Sequence, residues 1–189
     1  MDEIAAIDPV AYNAAVHQLP ILTRVVFKAH RDEGRSYAEI ADRLSIGYST
    51  VEACVAEALG MIAMMLEGAA PQRTRASTIE PVEQALRQRH RAYYHEGFSR
   101  LGLKSDEKAA DTDCDRHGYV RIMQEIMPKR DLDVFLLNRI DGMSYKQIAR
   151  RLWTFEWVIR RRMLRTIRLI AQTPKPFEQW LTYLLLGIL

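Results

Sequence analysis

DLDVFLLNRIDGMSYKQIARRLWTFEWVIRRRMLRTIRLI, residues 131–170, reads as three helices in close succession. Leu132, Phe135, Leu136 and Ile140 give the first an apolar side, and it stops at Asp141-Gly142, a pair that ends helices. Ser144 stands where an N-cap is needed, with Gln147 three residues on, so a capping box opens the second helix. That helix turns Tyr145, Ile148, Ala149 and Leu152 inward. After a turn near Trp153–Phe155, the third runs to about Ile170 with Ile159, Met163, Ile167 and Ile170 as its buried stripe. Arg160, Arg161, Arg162, Arg165 and Arg168 fall on the other side. Two helices joined by a tight turn, the second lined with arginine, suit the major groove and the phosphates beside it.

The pattern occurs twice. Residues 25–63 align with 133–171 without a gap, and 12 of the 39 columns are identical. The identities include Val26/Val134, Phe27/Phe135, Gly34/Gly142, Ser36/Ser144, Tyr37/Tyr145, Ile40/Ile148, Ala41/Ala149 and Leu44/Leu152. These are core, turn and cap positions, where a shared fold concentrates agreement, so the sequence implies an internal duplication. The expected fold is all-α: two three-helix helix–turn–helix modules joined by a helical linker. The expected boundaries are 1–68, a linker at 69–127, and 128–189 ending in an amphipathic tail.

Charge separates the two halves. Residues 1–68 carry 5 Lys/Arg against 10 Asp/Glu, whereas residues 69–189 carry 22 against 14. Only the second half has the electrostatics to approach a phosphate backbone. In the first, the surface corresponding to the arginine face reads Ser49, Thr50, Glu52, Ala53, Ala56 and Glu57, with no cation, which favours a protein-binding or structural role. Two cysteines, Cys54 and Cys114, make no disulfide framework, and Cys54 is expected as a small filler within a helix. No basic, apolar leader opens the chain and its longest apolar run, 184–189, is far too short to span a bilayer. The expectation is a cytoplasmic protein without membrane contact.

Between the modules, 69–78 reads as a Pro-containing linker and 79–95 as a helix with Pro81 in its first turn. Arg87, Arg89 and Arg91 with His90, Tyr93, Tyr94 and His95 read as a solvated basic-aromatic face of that helix. Residues 97–118 are polar and irregular. Asp111, Asp113, Cys114, Asp115 and His117 fit neither a zinc module nor a calcium loop, so no metal or other cofactor is expected. A helix follows at 119–127. Met61, Met64 and Met65 read as filler against a neighbouring helix. In the tail, Phe177, Trp180, Leu181, Leu184, Leu185 and Ile188 close a core or join another subunit. There is no nucleophile–His–acid set and no Gly-rich phosphate loop, so an enzyme is not expected.

Residues 132–152, LDVFLLNRIDGMSYKQIARRL, resemble the C-terminal promoter-recognition domain, region 4, of bacterial sigma-70-family factors of the extracytoplasmic-function type. Leu44-Ser45-Ile46 and Ser49-Thr50-Val51-Glu52 continue that motif in the first copy. The resemblance implies contact with the -35 promoter element and with the flap of RNA polymerase. Carried over by position, base reading would fall near Glu156, Trp157, Arg160 and Arg161, with Arg165 toward the backbone; Arg168 extends the same face. No segment resembles the sigma region that melts the -10 element. Trp153, Thr154 and Phe155 replace the small or apolar turn residues of the family, and Trp157 is added. The functional expectation is a DNA-binding transcription regulator. Its alternative is a sigma-like protein-interaction module that binds RNA polymerase, an anti-sigma factor or a second copy, through Glu52, Ala53, Glu57, Trp153, Phe155 and Trp180.

Overall fold

The computed structural model describes residues 8–103 and 123–188, and no strand occurs among them. Asp111, Asp113, Cys114, Asp115 and His117 lie outside the described residues, as do residues 119–122 of the expected 119–127 helix, of which 123–125 are helical. The elements are α1 (Pro9–Gln18), α2 (Ile21–Arg31), α3 (Tyr37–Leu44), α4 (Tyr48–Leu66), α5 (Ala76–Arg100), α6 (Lys129–Arg139), α7 (Tyr145–Arg151), α8 (Glu156–Ala171) and α9 (Phe177–Leu186). The chain divides into two compact units, Met1–His90 with Phe177–Leu189, and Arg91–Pro176.

In the first unit α2, α3 and α4 pack on one another, and α1 lies on α4. The turn between α2 and α3 passes through Gly34 at φ 68°, a left-handed backbone that glycine adopts without strain. Ser36 then caps α3: its Oγ accepts from the Glu39 N–H at 3.2 Å, and the Glu39 carboxylate accepts from the Ser36 N–H at 2.9 Å. Donation to that carboxylate from the Ser36 N–H, and from the Ser36 hydroxyl at 2.9 Å, holds the Glu39 carboxyl below its ordinary value. The inward stripe of α4 is centred on Val51, Cys54 and Ala58, all fully buried. Leu59, four residues on from buried Val55 and three short of buried Ile62, is nonetheless 52% exposed. α4 is apolar on nearly every side, so its periodicity does not fix which face turns inward. By length and composition it could also cross a membrane, but half of it is buried inside the protein.

Burial pushes the Cys54 thiol up to about 12, with the nearby Glu57 charge adding to the effect. The thiol is therefore neutral in the native state. This favours folding below the ordinary value of 9.0, and the advantage fades as pH rises from 9.0 toward 12. Native protein treated with iodoacetamide near neutral pH should leave Cys54 unmodified, and denaturant should expose it. Rapid native labelling, read by peptide mass, would contradict the burial.

Residues 73–90 belong to this unit. Ile79 and Leu86 are buried, and α5 starts at Ala76, which places Pro81 within the helix instead of in its first turn. The face expected to be solvated is mostly engaged: His90 is buried, and Arg89 donates to the Leu44 carbonyl at 2.9 Å. The tail completes the unit, where sequence had grouped it with 128–189. α9 packs on α2 and α3. Glu178 accepts two hydrogen bonds from Arg24, at 2.9 and 2.7 Å, and the Leu185 carbonyl accepts from Arg35 at 2.7 Å. Phe177 and Trp180 are buried beside His90, with the Arg87 guanidinium 4.5 Å from the Phe177 ring.

In the second unit α6, α7 and α8 pack on one another around Val134, Ile148, Ala149, Ile159 and Met163. α6, α7 and α8 begin at Lys129, Tyr145 and Glu156; α2, α3 and α4 begin at Ile21, Tyr37 and Tyr48, a constant offset. Local details follow the same offset. Gly142 has φ 64°, and Ser144 and Gln147 form a capping box. The Asn138 amide donates to the Met143 carbonyl at 2.9 Å, as His30 Nδ1 does to the Arg35 carbonyl at 2.9 Å. A second cluster joins Tyr94, Phe98 and Met127 to Leu132, Leu169 and Ile170. Burial of Phe98 carries α5 through Gly97 to Arg100, past the expected end at residue 95. A Cβ at Gly97 would overlap the Pro174 ring, so this glycine permits the close approach. In α8, Thr166 takes the inward place expected for Ile167, which is 42% exposed.

Candidate nucleic-acid interface

α8 follows its predecessor after a turn built on an unusual residue. Trp153 has φ 49°, a left-handed conformation that costs a bulky side chain ~1–3 kcal/mol. It is 96% exposed, so no packing of the ring compensates. Phe155, the N-cap of α8, is 71% exposed, and Trp157 in its first turn is 62% exposed. Beyond them the outward side of α8 carries Arg160, Arg161, Leu164, Arg165 and Arg168, all exposed. Core packing through Ile159, Met163 and Thr166 fixes this orientation, because residues three and four apart share a helix face.

The acids near this face are few and occupied. Glu156 accepts from Arg160 Nε and Nη2 at 3.2 and 2.9 Å, an exposed pair one turn apart that solvent screens to little value. Asp131 in the first turn of α6 is buried and draws in two cations, Arg165 at 3.3 Å and Arg162 at 3.9 Å. Arg161 and Arg168 have no ion pair among the described residues. Lys129, Arg130, Trp157, Arg161 and Arg165 border an open cleft of ≈ 520 Å³ with Asp131 at its edge. Residues 129–176 hold 12 Lys/Arg against 4 Asp/Glu. Self-repulsion in such a cluster gains nothing for folding, whereas neutralising phosphates relieves it.

All six residues expected to meet DNA (Glu156, Trp157, Arg160, Arg161, Arg165 and Arg168) lie on the outer side of α8, exposed except for half-buried Glu156. The expected protein-interface set is split. Glu52, Trp153 and Phe155 are exposed, but Ala53, Glu57 and Trp180 are buried inside the first unit and present nothing to a partner. Glu57 turns inward because its carboxylate accepts from Arg73 Nε at 3.1 Å and the Arg75 N–H at 3.0 Å. Sequence reasoning missed Lys146, Arg150 and Arg151, which are exposed on α7 and extend the cationic surface. Their spacing of four and five along one helix was the available signal. It also missed the steering of Arg162 and Arg165 by Asp131, which depends on two helices meeting.

No curated protein and no solved structure matches the chain. Residues 10–61 match the family model for Sigma-70, region 4, so α1–α4 of the first unit are similar to one sigma-70-like helix–turn–helix domain.

Proposed function

We propose that the chain is a DNA-binding transcription regulator with two helix–turn–helix modules of the sigma region 4 kind, the second of which meets DNA. The observation that carries this reading is the outward face of α8, where Arg160, Arg161, Arg165 and Arg168 stand exposed with Glu156 as their one acid neighbour on the helix. An α-helix about 10–12 Å across fits a major groove about 12 Å wide, and arginine pairs with guanine through two hydrogen bonds. Replacing Arg160 and Arg161 with alanine should weaken binding to a selected duplex by about 1–3 kcal/mol for each arginine–base pairing removed. Wild-type affinity should also fall steeply with salt. A promoter-like duplex library titrated at two salt concentrations tests both; equal binding by wild type and variant would sink the proposal.

The first unit supports a different role. The outer side of α4 exposes Tyr48, Glu52 and Leu59 and carries no Lys or Arg. We infer that this unit binds protein, with RNA polymerase or an anti-sigma factor as the class of partner suggested by the match over residues 10–61. Capture of polymerase should survive Arg160→Ala/Arg161→Ala but fail when Tyr48 and Leu59 become charged.

A further inference from the structure

We propose that Trp153, Phe155 and Trp157 form a base-stacking element, so that the second unit prefers DNA containing unpaired bases over a fully paired duplex. The inference rests on the DNA-binding reading above and adds the substrate class.

The two turns at matching positions supply the argument. Ser45, at φ 54°, stands where Trp153 stands at φ 49°. Gly47, the N-cap of α4, stands where Phe155 caps α8. Ser49, next in the same alternation, corresponds to Trp157. The turn therefore forms equally well with three small residues. The three rings are not needed to build it, and at 96%, 71% and 62% exposure they add nothing to the core. Large apolar rings held in water, one of them on strained backbone, require an occupant.

Charge selects that occupant. The rings are flanked by Arg150, Arg151, Arg160 and Arg161, all exposed, with Glu156 already paired to Arg160. Aromatic rings interleaved with arginine are what single-stranded nucleic acid demands: cations follow the phosphates while rings stack on bases of any sequence. A fully paired duplex admits α8 but keeps its base faces stacked away from the rings. A helix about 10–12 Å across already fills a groove about 12 Å wide, leaving little room for indoles at its leading end. Bases turned out of the stack remove that obstruction and give the rings flat faces to meet.

The test uses the full chain and labelled DNA of about 20 nucleotides, longer than the roughly 4–16 that such a site covers. Three probes share one sequence: a single strand, its duplex, and the duplex with a central unpaired bubble. Anisotropy should show the single strand or the bubble binding about tenfold or more tighter than the duplex, with quenching of tryptophan fluorescence. Trp153→Ser/Phe155→Gly/Trp157→Ser installs residues that the matching turn already tolerates. It should remove both the preference and the quenching, whereas Trp153→Ser/Phe155→Gly, which keeps the base-reading position Trp157 intact, should weaken the preference while duplex binding persists. Should that variant lose its helical circular dichroism, Trp153→Ser and Trp157→Ser singly should each reduce the preference. Duplex binding by wild type without preference for unpaired bases would overturn this inference and leave the DNA reading standing. No binding to any probe would overturn both, and a preference that survives in the folded triple variant would overturn the stacking role alone.

Discussion

Replacing Glu57 with alanine should destabilise the first unit by about 3–5 kcal/mol, because the change breaks a buried charge pair and strands its partners. The Glu57 side chain has no solvent exposure and lies 3.1 Å from Arg73 Nε, whose own side chain is 29% exposed. It also accepts from the Arg75 backbone N–H at 3.0 Å and lies 3.5 Å from Thr23 Oγ1. Arg73 Nη2 is already buried without a partner among the described residues, and Nη1 reaches only the exposed Glu80 at 3.4 Å, so Glu57 is its buried counter-charge. Arg73→Met should cost a similar amount from the other side by leaving the carboxylate unpaired. Glu57→Leu with Arg73→Met should recover much of the loss, since apolar replacement of a whole buried pair is often near neutral. Denaturant titrations of the full chain followed by circular dichroism supply the cycle. A loss below about 1 kcal/mol for Glu57→Ala, typical of exposed pairs, would refute the buried-clasp reading. The consequence reaches function: this clasp turns Glu57 inward and fastens residues 73–75 to α4, while Glu52 stays exposed on the side proposed to meet a partner.

What could be read in the sequence was local. Gly34, Gly142 and the Ser36/Glu39 and Ser144/Gln147 caps act within a few residues, so their spacing specified turns and helix starts correctly. The arginine side of α8 was equally legible, because the apolar residues opposite it repeat at helical spacing. Non-local balances were not legible. Glu57 looks like a surface acid until Arg73 and the Arg75 N–H are brought to it. In α4 Ala53, Cys54, Ala58 and Leu59 are all apolar, and composition alone does not decide that Leu59 faces outward while Ala53 is buried. The apolar side of α9 announced that it covers something. Its placement rests on burying Phe177, Trp180, Leu181 and Leu185 against helices far back in the chain, with Arg24 meeting Glu178 154 positions away, encounters no periodicity encodes. Trp153 was expected at the turn and on a partner-facing surface, and it stands 96% exposed there.

Ending the chain after residue 176 should unfold or severely weaken the first unit while the α6–α8 core of the second persists. The truncation removes Phe177, Trp180, Leu181 and Leu185, all buried against the first unit. At about 1.5–3 kcal/mol for each buried side chain, their combined contribution rivals the whole ~5–15 kcal/mol by which a domain is stable. Trp180→Ala alone should cost about 3–5 kcal/mol. Glu178→Ala should cost far less, because that carboxylate is 45% exposed and solvent replaces much of what Arg24 supplies. A division of labour between the two halves must therefore be tested in the full chain. A fragment of residues 1–68 lacks Ile79, Leu86, Phe177, Trp180 and Leu181, which are buried in the unit, so it should show no cooperative melting transition. Its failure to bind DNA would then reflect unfolding instead of the acidity of the half. Adding a peptide of residues 177–189 to the 1–176 chain should restore stability in proportion to its concentration, as any ligand of the native state does. A 1–176 chain that melts like the full protein would show that α9 is peripheral. If α9 is required, synthesis order follows: the first unit is completed only after the whole second unit has been made, because its last helix is the last described element of the chain.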